Sequence, residues 1–285
     1  MVIARTETGV RAHAAALASQ VHPVFMLPPL AASGFGAVIA RSVEPVAATV
    51  HVTAVFFAVY TAHVKDGYVD FYRRDEDDDH PLSRVGCRLV LGGATVGFAV
   101  CTALLGLRID PGAALLTLPT WVIGYLHAPQ LDTHPVTATT GYPVGIGLAI
   151  VGGYYAQVQA LSATVLGFAA VFVVVLTGVK VIDDATDYAY DRSIDKRTVA
   201  VVLGRRRART LAYGLMAVGL VGVVAFALAE LFPPSTVGAV AVFGAVAVVA
   251  RRAGTDDRLA TMLLVRASYL FLAVLVVAVW FTPLS

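Results

Sequence analysis

From Leu161 to Ile182 the chain is almost uninterruptedly apolar, with Lys180 its one charge, and it then passes directly into a run of acids from Asp183 to Asp195. A stretch of that length matches the ~20 apolar residues a helix needs to cross a bilayer. Within the hydrocarbon every backbone N–H and C=O must be paired inside the segment, so such a stretch has to be helical. Similar segments recur, and nine are expected, at about 22–41, 45–64, 85–106, 112–128, 140–160, 162–182, 208–230, 235–250 and 264–282. The whole is 58% hydrophobic and 14% charged, with mean hydropathy +0.77, against the roughly 25% charged of a soluble domain. The expected fold class is all-α: a polytopic membrane protein with nine transmembrane helices around a central cavity, in two four-helix groups plus one. Residues 1–285 form a single transmembrane domain in this reading, with 1–20 an amphipathic lead-in rather than a cleavable signal peptide.

The basic residues give an orientation. With the N-terminus cytoplasmic, the tail and the loops after even-numbered spans hold 19 of the 21 lysines and arginines, leaving Arg41 and Arg108 on the other side. Cytoplasmic loops carry such an excess. The expectation is a multi-pass cell-membrane protein with N-terminus and acidic loops (near 65–84 and 183–207) cytoplasmic and C-terminus outside. A net charge of +2 gives no case for a nucleic-acid partner. Cys87 and Cys101 sit in one apolar segment, without zinc-ligand spacing, and read as packing residues. Nothing in the pattern specifies an oligomeric state.

The acids after the sixth span are spaced. Asp183, Asp187, Asp191 and Asp195 recur every fourth residue, with Asp184 beside them. Each i,i+4 step on a helix turns the position by only ~40°, so the first three are expected on one face. Like charges stacked in this way repel and call for a cation. Asp66 and Asp70 repeat the spacing at the end of the second span, flanked by apolar and aromatic residues. Asp75 to Asp79 read instead as a solvated loop, since five consecutive acids cannot share a helical face. The two clusters occupy corresponding places in the two four-helix groups, a faint repeat that would set them face to face across one cavity. Paired carboxylates suit Mg²⁺, a hard ion held by one or two carboxylates together with substrate phosphates. Lys65, Arg73, Lys180, Arg192, Lys196 and Arg197 surround them and suit phosphate oxygens. The expected metal ligands are Asp66, Asp70, Asp183, Asp184, Asp187 and Asp191.

Asp183-Asp184-x-x-Asp187-x-x-x-Asp191 and Asp66-x-x-x-Asp70, placed after the sixth and second of nine spans, resemble the two motifs of the UbiA superfamily of intramembrane prenyltransferases. Its first motif is written Asn-Asp-x-x-Asp-x-x-x-Asp. Here Asp66 stands at the leading Asn, and Arg74 stands where a third acid is common. Gly124 to Pro129 and the glycines Gly145, Gly147, Gly152 and Gly153 also resemble the family's pattern. The resemblance implies Mg²⁺-dependent transfer of a prenyl group from an allylic isoprenyl diphosphate to a lipophilic acceptor, with two metal ions. Acceptors within that family include quinone-ring precursors, glyceryl-phosphate lipids, carotenoids and chlorophyll or haem precursors. Scarce lysine and the acidic run hint at salt adaptation, which favours geranylgeranyl diphosphate as donor and a naphthoate or an archaeal glycerolipid as acceptor. Tyr68, Tyr72, Tyr125, His127, Tyr155 and Tyr188 are the candidates for facing the allylic cation or the acceptor.

Three other classes share part of this pattern. A CDP-alcohol phosphotransferase needs Ala-Arg soon after its Asp-Gly, whereas Tyr68-Val69-Asp70 follows Asp66-Gly67. Soluble prenyl synthases share Asp-Asp-x-x-Asp but not nine apolar spans. A cation-binding transporter, or a non-catalytic membrane protein, is the remaining alternative, although transporters place charge near the midplane and here the acids lie at helix ends.

Overall fold

The structure is a computed structural model, and residues 3–194, 196–252 and 257–281 are described. It is helical throughout: α1 (Val10–Ala18), α2 (Pro23–Ile39), α3 (Pro45–Tyr72), α4 (Arg84–Arg108), α5 (Pro111–Leu126), α6 (Pro135–Val158), α7 (Ala163–Thr186), α8 (Tyr188–Ser193), α9 (Val199–Leu203), α10 (Arg205–Leu228), α11 (Val237–Arg252) and α12 (Asp257–Phe281). Among the described residues there is no strand, only a bridge between Ala4 and Leu82.

Each expected span has a helix, but the count of nine is not met by length and composition. Among the described residues seven helices are long and apolar enough to cross a membrane, or eight if α1 and α2, bent by 67°, count as one span. The two that fall short are α2, with 17 residues, and α5, with 16; α11, also 16, reaches 19 with the turn Pro234–Thr236 that leads into it. α5 is cut short at both ends. Asp110 caps its start, accepting from Gly112 N at 2.7 Å, ahead of Pro111. Its far end opens into a wide turn, His127–Leu131, because Ala128 precedes Pro129 and is extended (φ −121°, ψ 138°).

α3 is longer than a span requires. Glu44 caps it, accepting from Val46 N and Ala47 N, and Pro45 opens its first turn. At 1.5 Å per residue its 28 residues reach about 42 Å against a hydrocarbon core of ~30 Å. Its last two turns, with Asp66 and Asp70, therefore stand at the membrane face. α2 and α6 approach as closely as backbones allow: a Cβ on Gly36 would lie 2.1 Å from Ile150 O, and one on Gly153 would lie 2.1 Å from Ser33 O. Small residues permit such contacts between membrane helices. An aromatic seam ties the rest together: Phe35 packs on Phe168 at 5.1 Å, Phe172 on Phe271 at 5.4 Å and Phe243 on Phe271 at 5.6 Å.

The expected ladder of acids is broken. α7 ends at Thr186, Asp187 lies between helices (φ −97°, ψ 12°), and α8 starts at Tyr188. Asp183, Asp187 and Asp191 thus do not share one continuous helical face. The break relieves the stacked like charges and leaves Asp187 exposed while Asp184 and Asp191 are buried. Asp195, the ladder's last rung, lies outside the described residues.

Candidate active site

A cavity of about 630 Å³ opens where α3 and α7 end. Six helices wall it: α2, α3, α5, α6, α7 and α12; α4, α10 and α11 contribute nothing to its lining among the described residues. Its depth is apolar, with Val55, Ile146, Phe172, Leu176, Val265 and Leu272. The mouth is polar. Asp66 and Asp70 enter from α3, and Lys180 and Asp183 enter from α7. The two acidic segments also come together at Tyr190, which lies against Glu76. Burial and that carboxylate push Tyr190 up to about 12.

The acids fall into two groups. Asp66, Asp70 and Asp183 line the cavity. Behind them Lys180 Nζ donates to Asp183 Oδ2 at 2.8 Å and to Asp184 Oδ1 at 2.7 Å, and Thr139 Oγ1 donates to Asp184 Oδ2 at 3.2 Å. Lys196 Nζ lies 3.6 Å from Asp191, which is buried. Burial holds the Asp191 carboxyl above its usual range, with Lys196 pulling the other way. Arg74, at the place of a third acid, bridges Asp70 at 3.3 Å and Asp132 at 2.7 Å.

Among the expected phosphate-binding cations, Lys180 alone lines the cavity. Lys65 Nζ donates to Tyr125 O at 2.9 Å and sits 4.0 Å from the centre of the Tyr125 ring. Arg73, Arg192 and Arg197 are exposed at the same face. Among the expected aromatic residues, His127 lines the cavity, set there by the wide turn that ends α5. Tyr72 donates to Leu82 O at 2.8 Å, Tyr68 lies against Arg73, and Tyr188 lies under Arg205. Tyr155 is at the opposite end of α6, bonded to Asp110 at 2.9 Å. None of these four, nor Tyr125, is among the cavity's lining residues.

Other lining residues were missed. His63 precedes Asp66 by three positions on α3 and packs against His22, the ring centres 4.9 Å apart. The His63, Asp66, Asp70 spacing is a helical face and could have been read. Tyr142 and Tyr269 line the cavity too, their hydroxyls donating to the Phe25 and Val24 carbonyls of α2. Asp77, Asp79 and His80 reach the mouth because their loop folds back, held by the Ala4–Leu82 bridge and an Arg5–Asp79 ion pair. No local pattern carries that.

The donor set decides which metal could fit. Among the described residues no three His, Cys, Asp or Glu side chains converge on one point. The carboxylates at the mouth are hard oxygen donors, two from α3 and one from α7. That suits Mg²⁺, which takes one or two carboxylates and completes its shell with substrate phosphates and water.

The UbiA prenyltransferase family profile matches residues 26–275. No curated protein sequence matches the chain. A digeranylgeranylglyceryl phosphate synthase structure superimposes with a TM-score of 0.72 at 12% identity, over 94% of this chain and 99% of its own. A UbiA homologue from Aeropyrum pernix K1 gives 0.68 at 16% identity over 90% and 98%. One from Archaeoglobus fulgidus, bound to GPP and Mg²⁺, gives 0.65 at 16% identity over 92% and 97%. The fold is shared at these identities, and the profile spans nearly the whole sequence: the chain belongs to the UbiA prenyltransferase family and is an integral membrane prenyltransferase.

Proposed function

We propose that the protein transfers a prenyl group from an allylic isoprenyl diphosphate, geranylgeranyl diphosphate in the favoured case, to a lipophilic acceptor, releasing diphosphate at the cytoplasmic face. The observation that carries this is one cavity with two ends: Asp66, Asp70 and Asp183 at the mouth, and an apolar body behind them. Asp66, Asp70 and Asp183 would hold Mg²⁺ on the donor, with Asp184 and Asp191 fixing the surrounding cations. Mg²⁺ bound there supplies the positive charge that makes diphosphate a competent leaving group. Lys180 is positioned to donate to a diphosphate oxygen, at the cost of one of its bonds to Asp183 or Asp184. The apolar walls take the isoprenoid tail and keep water from the allylic carbon. The aromatic faces of Tyr142, Tyr269 and His63 are the ones placed to stabilise its positive charge. The Archaeoglobus fulgidus relative bound to GPP and Mg²⁺ supports this assignment of donor and metal class.

The test is to incubate purified protein with labelled geranylgeranyl diphosphate and Mg²⁺ and follow diphosphate release and prenylated product. Release that stops on chelation and returns with Mg²⁺ is expected. Ion flux without diphosphate release from any prenyl donor would overturn the reading in favour of a transporter.

A further inference from the structure

The cavity is lopsided in charge. Carboxylates of Asp66, Asp70, Asp77, Asp79 and Asp183 line it, whereas Lys180 is the one lysine and no arginine does so, among the described residues. Lys180 is already engaged, 2.8 Å from Asp183 and 2.7 Å from Asp184. Arg74 and Arg5 reach Asp70 and Asp79 from outside the lining and are occupied by them.

Deeper in, the hydroxyls are occupied as well. Thr120 Oγ1 donates to Thr117 O at 2.7 Å, and Ser268 Oγ donates to Val265 O at 2.7 Å. Tyr142 and Tyr269 donate to the carbonyls of Phe25 and Val24. Each hydroxyl has one proton and has already given it. The imidazoles of His22, His63, His80 and His127 also line the cavity, but at its polar end, on the turn before Asp66 and in the segments flanking the mouth; in the apolar body beyond them an anion would meet neither a cation nor a free hydroxyl donor, in a medium where an unpaired charge is costly. Positive charge recruited as Mg²⁺ lies at the mouth, where the diphosphate of the donor takes it up.

Resting on the prenyl-transfer reading above, we propose that the acceptor is an uncharged lipophile, with no carboxylate or phosphate, reacting through a carbon–carbon double bond or a neutral hydroxyl. This sets aside the naphthoate and glyceryl-phosphate acceptors that the sequence favours. In the step, the allylic C–O bond breaks with its electron pair staying on the diphosphate oxygen. A new bond forms from the acceptor's electron-rich atom to the allylic carbon, and one acceptor proton leaves with the departing diphosphate.

The experiment compares acceptors that differ by one ionisable group, with geranylgeranyl diphosphate and Mg²⁺. The pairs are 1,4-dihydroxy-2-naphthoate with its methyl ester, and geranylgeranylglyceryl phosphate with geranylgeranylglycerol; an acyclic polyene hydrocarbon is added as an acceptor without oxygen. We expect at least one neutral compound to be prenylated, with kcat/KM at least about tenfold above its anionic partner where it has one. Equilibrium binding of the methyl ester, without donor or Mg²⁺, is expected to be at least about tenfold tighter than that of the naphthoate. An anionic member used or bound as well as its neutral partner would overturn the proposal. So would donor cleavage with no neutral compound prenylated. Absence of Mg²⁺-dependent diphosphate loss from the donor would instead remove the prenyl-transfer reading, and this one with it.

Discussion

Arg74 shows how a single side chain departs from its motif. Where a third acid is common, a guanidinium joins Asp70 to Asp132, a carboxylate that is only 5% exposed. Removing one partner of a buried pair leaves an uncompensated charge. Arg74→Ala is therefore expected to destabilise the protein by about 3–5 kcal/mol, read as a lower Tm in detergent, with Asp132→Asn restoring much of the loss when combined. The acids at the mouth behave differently, because their use is chemical. Asp66 lines the cavity and Asp187 is exposed. Asp66→Asn keeps the shape and removes the charge, and diphosphate release is expected to fall on the order of 10²–10³-fold in kcat. Asp187→Asn is expected to change it by less than about twofold. Spacing made Asp66, Asp70 and Asp183 legible, since periodicity and span ends together fix their face. Asp77, Asp79 and the tyrosines were not, since their placement depends on a folded-back loop and on how each helix is rotated.

Helix positions were legible because the bilayer demands long apolar segments, and helix ends were not because they depend on local charge and caps. The ladder from Asp183 is the clearest case: a strict four-residue repeat predicts one face, and the helix stops at Thr186 instead. The glycines of α6 look alike in the sequence, and only the structure separates the tight ones from the loose. A Cβ at Gly153 would meet Ser33 O at 2.1 Å, backbone that cannot give way, whereas one at Gly141 would meet only Ile123 at 3.9 Å. Gly153→Ala should push α2 from α6 and lower stability by about 1–3 kcal/mol. Gly141→Ala should leave Tm unchanged or raise it slightly, since alanine is the better helix former. Equal effects at the two positions would contradict the close approach.

At the scale of the whole molecule the distribution of charge and the packing of helices bear on the same question, which face is cytoplasmic. The N-terminal segment pairs with residues near 81–83 through Ala4–Leu82 and Arg5 N–Pro81 O, so it lies on the same face as the loop after α3. Tyr190 against Glu76 brings the loop after α7 to that face too. These are the segments that carry most of the basic residues, and the positive-inside rule assigns them to the cytoplasm. Between position 78, in the first acidic loop, and position 160, between α6 and α7, lie α4, α5 and α6; three crossings put them on opposite sides. Both positions are exposed, and the native cysteines, Cys87 and Cys101, are buried and should stay silent. Asp78→Cys is therefore expected to react with a membrane-impermeant maleimide only from the cytoplasmic side, in inside-out vesicles. Ala160→Cys is expected to react only from the outside. A reversed pattern would invert the orientation while keeping the fold. Labelling of both from one side would mean that α5, with 16 residues, does not cross, and the cavity wall it shares with α3 and α6 would have to be built differently.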